Sequence, residues 1–224
     1  MKNKKSILLM WIIAVLPLLL VAAVYGRLPD TIPTQFGFDG TVNSYGPKST
    51  LWLLAGICPL FAALFQFLPL IDPRRANYGK FQKYYDLFAI GLELFLTAIL
   101  GLVLTESLHP GTLSMGRAIL ALLAVLFILI GNMMGKVKSN YFFGIKTPWA
   151  LDDPDIWART NRLGGRLWFI TGVLLLPCSL LLPETVSFVL MLVGILGSCA
   201  LVYVLSYVWY RQKHQTDESK KPVE

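Results

Sequence analysis

Six long apolar segments are the feature of this sequence that most constrains its fold. They cover residues 6–25, 50–71, 85–104, 118–134, 167–182 and 187–210. A helix that crosses a bilayer needs about 20 predominantly apolar residues. Charged residues make up only 15% of the chain, whereas an average soluble domain has about 25%. The sequence therefore predicts an all-α, polytopic membrane protein with six transmembrane helices.

The segments that connect these helices are short. The longest, residues 135–166, is shorter than the roughly 50 residues that a separate soluble domain needs. Function must therefore lie in the bundle or its loops. We expect an N-terminal three-helix membrane region at 1–110, a second three-helix membrane region at 111–210, and a charged cytoplasmic tail at 211–224.

The lysines and arginines alternate between the two sides of the predicted bundle. Seventeen of the 20 fall on the side that holds both termini, and three fall on the other side. The positive-inside rule then places both termini in the cytoplasm. The first apolar segment exceeds the usual length of a signal-peptide core, so we expect an uncleaved anchor. Because the bilayer accounts for the cations, the net charge of +7 requires no direct nucleic-acid partner.

The outer loop at 26–49 carries a hairpin signal. Asp39 and Gly40 lie between two strand-like runs, 34–38 and 41–45. An Asp-Gly pair in this position favours a type I′ turn. The sequence predicts a small extracellular β-hairpin, stiffened by prolines. It is either a rigid plug or ligand lid, or a compact connector without a ligand.

The inner loop at 135–166 contains a helix start. Asp153 is a good N-cap, and Pro154 suits the first helical position. We expect a short helix at 154–163 that lies at the headgroup level, with Trp157 as an anchor and Trp149 as a further aromatic anchor. The loop could bind a cytoplasmic protein, an anionic lipid, or only its own bundle.

Three polar residues stand within or at the ends of the predicted spans. Glu93 lies about 12 Å from the inner end of its helix, and charges at such depth are costly. It could lock the bundle as a protonated or hydrogen-bonded group, lie on an ion or proton path, or contact a ligand. Gln66 could meet Glu93, and Asn132 could satisfy the backbone of the inner loop.

The sequence lacks enzyme signatures. His109 and His214 have no acidic or cysteine neighbour in a catalytic or zinc spacing, and no phosphate-binding glycine loop or nucleophile elbow is present. Cys58, Cys178 and Cys199 lack metal-site spacing. We expect no enzymatic activity, no cofactor and no metal site. A small transporter or channel-like protein, with Glu93 in an ion or substrate path, is the main alternative for its function.

The inner loop carries a motif that resembles a known family. The residues that carry it are Gly131-Asn132, Lys136, Lys138, Asn140, Gly144 to Trp149, Trp157 to Arg162, and Gly164-Gly165. This pattern strongly resembles the SdpI family of bacterial membrane proteins. Lys146 stands where the family commonly has arginine, so the bidentate fork of a guanidinium is lost.

The first half of the chain has a second resemblance. Its residues are Leu28-Pro29-Asp30, Ile32-Pro33, Gly37, Asp39-Gly40 and Lys48. They resemble the uncharacterised multispan domain that often precedes the SdpI region. Gln35 stands where that domain often has histidine, which weakens the case for a metal site on the outer loop.

The resemblance implies a role in the bacterial cell membrane. The name-giving family member protects a cell against a secreted killing peptide and tethers a transcriptional repressor at the membrane. A secreted toxin arrives from outside, where the hairpin offers the largest surface, so the candidate toxin contacts are Phe36, Phe38, Tyr45 and Lys48. The candidate signalling or assembly residues of the inner loop are Asn140, Lys146, Trp149, Trp157, Arg159, Asn161 and Arg162. Lys146, Arg159 and Arg162 would attract anionic membrane lipid or an acidic partner surface.

Overall fold

The structure, a computed structural model, describes the backbone of residues 4–219 and the side chains of residues 4–215. The helices and strands, in chain order, are α1 (Lys4–Val24), β1 (Thr31–Phe36), β2 (Val42–Pro47), α2 (Thr50–Ile71), α3 (Tyr78–Leu108), α4 (Met115–Met134), α5 (Pro148–Asp152), α6 (Pro154–Leu181) and α7 (Glu184–Ser219). Within this described part, six helices are long and apolar enough to cross a membrane, namely all except α5. The predicted all-α fold with six spans is confirmed. Below, "inner" denotes the end of the bundle that the charge distribution assigns to the cytoplasm, and "outer" denotes the opposite end.

Helix α6 corrects one prediction about the inner loop. Asp153 is its N-cap and accepts hydrogen bonds from the backbone N–H groups of Asp155 (2.7 Å) and Ile156 (3.2 Å), with Pro154 in the first turn. The expected helix start is therefore present. The helix does not end near residue 163, however, but continues to Leu181. The predicted separate interfacial helix was wrong, because Gly164 and Gly165 pack within the helix instead of ending it.

The last helix is also longer than its apolar segment. The segment ends at residue 210, and α7 continues to Ser219. Residues 211–219 of the predicted tail are thus helical, while residues 220–224 lie outside the described residues.

The helices form two groups that meet through α3 and α4. Helices α1, α2 and α3 pack against one another, and α6 packs against both α4 and α7. The approach of α4 to α6 is especially close, since a Cβ atom added to Gly131 would lie 2.6 Å from the Gly165 carbonyl oxygen. Gly172 meets the Ala124 carbonyl oxygen at the same hypothetical distance. Small residues allow such contact between backbones of membrane helices.

Strands β1 and β2 pair antiparallel, which confirms the predicted small hairpin. The turn differs from the expected type I′. Gly40 has a φ of 78°, but Asp39 is not among the described residues with positive φ. The Gly40 N–H donates to the Gly37 carbonyl (3.0 Å), and the Gly37 N–H donates to the Thr41 carbonyl (2.7 Å). This is the pattern of a three-residue loop closed by a glycine in the left-handed region.

The orientation of the bundle is a prediction from the charge distribution, and labelling can test it. Asn43→Cys on the hairpin and Lys138→Cys on the inner loop both replace exposed side chains. With Cys58, Cys178 and Cys199 replaced by alanine, a membrane-impermeant maleimide should label Cys at position 43 in intact cells and Cys at position 138 only after permeabilisation. Labelling of both positions from outside would contradict the six-span topology with inner termini.

Candidate functional site

The base of the hairpin is fixed to the outer ends of the first three helices. Ile32 is buried, in a cluster that includes Val21, Leu51 and Leu100 of α1, α2 and α3. Lys48 pairs with Asp30 at 3.1 Å and donates to the Leu28 carbonyl at 3.4 Å. Its ammonium also lies 5.3 Å from the centre of the Tyr25 ring. The Lys48 ammonium is therefore engaged within the chain.

The tip of the hairpin rests on the other group of helices. Phe38 stacks on Phe188 of α7, with ring centres 6.0 Å apart. Gly40 lies against the Glu184 carboxylate and the first turn of α4 at Gly116. Ser114, the residue before α4, donates a hydrogen bond to the same carboxylate. The hairpin thus reaches across the outer face from one helix group to the other.

The turn itself is held by a local carboxylate. Asp39 Oδ1 accepts hydrogen bonds from the Thr41 hydroxyl (2.7 Å) and the Thr41 backbone N–H (3.1 Å). The hydroxyl and then the N–H of Thr41 lower the pKa of Asp39 below its usual value. The ionised form of Asp39 is therefore the form that these hydrogen bonds stabilise.

The hairpin leaves an aromatic surface open. Tyr45 is 65% exposed and Phe38 is 59% exposed, whereas Phe36 is half-buried. Of the four predicted toxin contacts, these three aromatic side chains lie along one hairpin, and Lys48 lies at its base. The structure places all four on the outer end of the bundle.

A buried aspartate organises the inner end. Asp72 follows α2 and is 2% exposed. Its carboxylate accepts hydrogen bonds from the Tyr78 hydroxyl (2.9 Å), the Tyr141 N–H (2.9 Å) and the Arg74 N–H (2.7 Å). One side chain thus ties the α2–α3 connection to the inner loop. Sequence reasoning missed Asp72, although a carboxylate directly after an apolar segment was a possible signal.

Asn140 gives the inner loop its shape. It is fully buried, and its side-chain oxygen accepts from the N–H groups of Phe142 (2.9 Å) and Phe143 (2.6 Å). Its amide nitrogen donates to the carbonyls of Lys138 (2.9 Å) and Phe143 (2.8 Å). The loop backbone is therefore satisfied by a side chain rather than by a helix or a strand.

Arg74 and Asn77 add further bonds between the same two segments. The Arg74 guanidinium donates to the Ser139 hydroxyl and, at 2.7 Å, to the Leu151 carbonyl. It also lies 5.0 Å from the centre of the Tyr141 ring. Asn77 donates to the Ser139 carbonyl at 2.8 Å. We call Asp72, Arg74, Asn77, Tyr78 and Asn140 the inner cluster.

Trp157 and Asn161 extend the buried region into α6. Trp157 is 2% exposed and donates from Nε1 to the Val137 carbonyl at 2.9 Å. Asn161 is fully buried and accepts from the Ile145 N–H at 2.8 Å. The predicted role of Trp157 as a headgroup anchor was wrong, because its ring packs in the core with Ile156 and Phe143. Both residues hold the loop against the bundle.

The end of α7 closes over α5 and the start of α6. Trp149 packs against the rings of Tyr203 and Tyr207, with centres 5.1 and 5.0 Å away. Lys213 pairs with Asp153 and Asp155, each at 2.7 Å. Partial burial works to raise the pKa of Asp153, but hydrogen bonds from Lys213 and from the N–H groups of Ile156 and Asp155 hold it below the usual value of 3.8. Its contribution to stability is therefore present above pH 4 and is lost as the pH falls through the lowered pKa.

Three other predicted residues of this loop lie at its surface. Arg159 and Arg162 are exposed, as is Lys146, which donates to the Tyr141 carbonyl at 3.1 Å. The predicted set therefore divides in two. Asn140, Trp149, Trp157 and Asn161 make contacts within the chain, while the three cations face outward.

Glu93 lies on α3 and is buried against the neighbouring helices. It is fully buried, and neither carboxyl oxygen has a hydrogen-bond partner among the described residues. The Cys58 thiol of α2 faces it. The expected meeting of Gln66 with Glu93 does not produce a hydrogen bond, since the Gln66 amide donates to the Ala62 carbonyl at 3.3 Å. Gln66 and Ala62 lie one turn apart on α2, so the amide bonds within its own helix.

Asn132 was expected to satisfy the loop backbone, and this was wrong. Its side chain is exposed at the end of α4, and no hydrogen bond to it occurs within residues 4–215. Asn140 supplies those bonds instead, because it lies inside the loop.

Comparison with known protein families finds two matches, one in each half of the chain. Residues 136–206 match the SdpI/YfhL protein family. Residues 12–58 match a domain of unknown function (DUF1648), so both resemblances found in the sequence are confirmed.

The matched residues 136–206 contain the inner loop, α5, α6 and most of α7. The "Immunity protein SdpI" of Bacillus subtilis (strain 168) is 25% identical to the chain over 209 residues. This similarity covers 93% of the chain and 97% of that relative. No solved structure matches the chain. The similarity to the Bacillus protein thus extends over both helix groups and both loops.

The buried position of Trp157 leads to a stability prediction. Trp157→Ala should lower the free energy of unfolding by about 3–5 kcal/mol, because it empties a large core site, and should lower the melting temperature in detergent by on the order of 10 °C. Arg159→Ala, two residues away and exposed, should change stability by less than about 0.5 kcal/mol. Equal melting temperatures for Trp157→Ala and wild type would contradict the buried position.

Proposed function

We propose that this multi-pass membrane protein confers immunity against a secreted peptide toxin. The observation that carries the proposal is the similarity to the Bacillus immunity protein, which runs through nearly the whole of both chains. The match of residues 136–206 to the SdpI/YfhL protein family agrees with it.

We propose further that the hairpin is the toxin-facing element. A toxin that arrives from outside meets an outer face on which α6 and α7 are joined by only two residues, 182 and 183. The hairpin supplies the exposed rings of Tyr45 and Phe38 on a backbone fixed at its base and tip. Rigid aromatic side chains provide large contact area at low entropic cost. Tyr45 is therefore the first candidate contact, with Phe36, Phe38 and Lys48 around it.

The inner face is the proposed site for a cytoplasmic partner such as a transcriptional repressor. The inner cluster fixes the backbone of the inner loop. The exposed Lys146 and Arg159 therefore project from a surface of defined shape. Tyr141 and Phe142, which are 42% and 38% exposed, lie on the same loop. A fixed surface of cations and aromatic rings suits an acidic partner.

Protection can be measured in a Bacillus subtilis strain that lacks its Immunity protein SdpI and is grown beside cells that secrete the killing peptide. Expression of this chain should restore survival, as the Bacillus protein does. Tyr45→Ala should reduce that survival at unchanged membrane level, because it removes the most exposed ring of the hairpin. Asn43→Ala, two residues away on the same strand and also exposed, is the matched control.

Two outcomes of this assay oppose the proposal in different ways. Absence of protection by the wild-type chain at normal membrane level would contradict immunity against the killing peptide of that strain. Full protection by a variant in which Phe36, Phe38, Tyr45 and Lys48 are all replaced would leave immunity in place and exclude the hairpin as the toxin contact.

A second candidate function is transport along a path that includes Glu93. The observation that favours it is the buried carboxyl group without a hydrogen-bond partner among the described residues. Glu93→Gln, tested in the same assay, separates the two candidates, because glutamine keeps the shape and removes the ionisable group. Toxin binding at the hairpin predicts unchanged survival. Loss of survival with normal folding would favour the transport path.

A further inference from the structure

A groove lies between the inner ends of α4 and α6. Its volume is about 650 Å³. The polar residues that line it are Asn132, Lys136, Arg162 and Arg166, and the exposed apolar ones are Phe169 and Ile170. No acidic side chain lines it in the described part of the chain. The groove therefore has a cationic end and an apolar end.

The three cations at this groove are not used by the fold. Lys136, Arg162 and Arg166 are exposed, and within residues 4–215 no side chain forms an ion pair or hydrogen bond with them. Other cations near the same end are engaged, as Arg74 is with Leu151 and Lys213 is with Asp153. Arg162 and Arg166 are one helical turn apart, so they lie on the same face of α6. Guanidinium groups in such a pair can bind phosphate oxygens through paired hydrogen bonds.

The apolar end continues along the same helix. Phe169 and Ile170, which are 38% and 52% exposed, follow Arg166 by three and four residues. They lie toward the middle of α6, while the cations lie toward its inner end. At the bottom of the groove, Gly131 of α4 lies directly against the backbone of α6 at Gly165. A ligand that fills the groove must therefore join an anionic group to a hydrocarbon part.

We propose that this groove binds an anionic phospholipid from the inner leaflet. The phosphate lies among Lys136, Arg162 and Arg166, and an acyl chain lies against Phe169 and Ile170. Cationic pockets between membrane helices on the cytoplasmic side suit such headgroups. This site is separate from the hairpin and does not depend on the immunity proposal.

The test is lipid binding by the purified full-length chain in detergent, measured by native mass spectrometry with phosphatidylglycerol. Removing two cations should weaken binding about 30-fold, so Arg162→Gln combined with Arg166→Gln should lose most bound lipid. The matched control is Lys83→Gln combined with Lys138→Gln, which removes two exposed inner-face charges outside the groove and should bind as wild type. Phosphatidylcholine, which has no net charge, should bind more weakly than phosphatidylglycerol.

Two further arms and one outcome of the control variant keep the result decisive. Glycerol phosphate, which has the anionic group without acyl chains, should not displace the lipid at equal concentration; displacement would mean a small-anion site instead. An equal loss of lipid in the control variant would mean non-specific attraction to charge and would overturn the proposal. If the double arginine variant does not fold, Lys136→Gln alone should reduce binding, and unchanged binding by a folded Lys136→Gln chain would also overturn it.

Discussion

The buried carboxylate of Asp72 is the interaction on which the inner half of this structure depends. A carboxylate removed from water is costly unless hydrogen bonds replace the lost solvent. Here the bonds come from two segments that are far apart in the sequence, through Tyr78 and Tyr141. The same group that would destabilise the bundle if left unpaired therefore joins α2 and α3 to the inner loop. Asn140 completes this arrangement, since its side chain satisfies the loop backbone that faces the core.

The two ends of the bundle are built differently. At the inner end, buried side-chain hydrogen bonds fix an irregular loop and connect it to both helix groups. At the outer end, the buried Ile32 anchors the base of the hairpin. The tip contacts α7 where Phe38 stacks on Phe188 and where Gly40 lies against the Glu184 carboxylate. Aromatic stacking contributes about 0.5–1.5 kcal/mol, which is less than a buried network provides. The tip is thus held by weaker contacts than the inner loop.

The sequence carried enough information for the spans, the hairpin and the start of α6. Long apolar runs, an Asp-Gly pair and an Asp-Pro pair determine structure through interactions between residues close in the sequence, so each could be predicted from neighbouring residues. The burial of Trp157 could not be predicted from its neighbours in the sequence. A helix that mixes tryptophan and isoleucine with arginine suits a lipid interface as well as a core, and the difference depends on distant segments such as Phe143 and Tyr85 that pack around it. Asp72 was missed for the same reason, because its hydrogen-bond partner Tyr141 lies 69 residues later in the sequence.

Amide hydrogen exchange over residues 138–147 measures the central claim most directly. This segment has no helix or strand, so an unconstrained loop would exchange at the rate of an unfolded peptide. The inner cluster instead holds the N–H groups of Tyr141, Phe142 and Phe143 in hydrogen bonds to Asp72 and Asn140. We expect the segment to exchange slowly, and to lose this protection in Asp72→Ala while the spans stay protected. Rapid exchange in the wild-type protein would contradict the account.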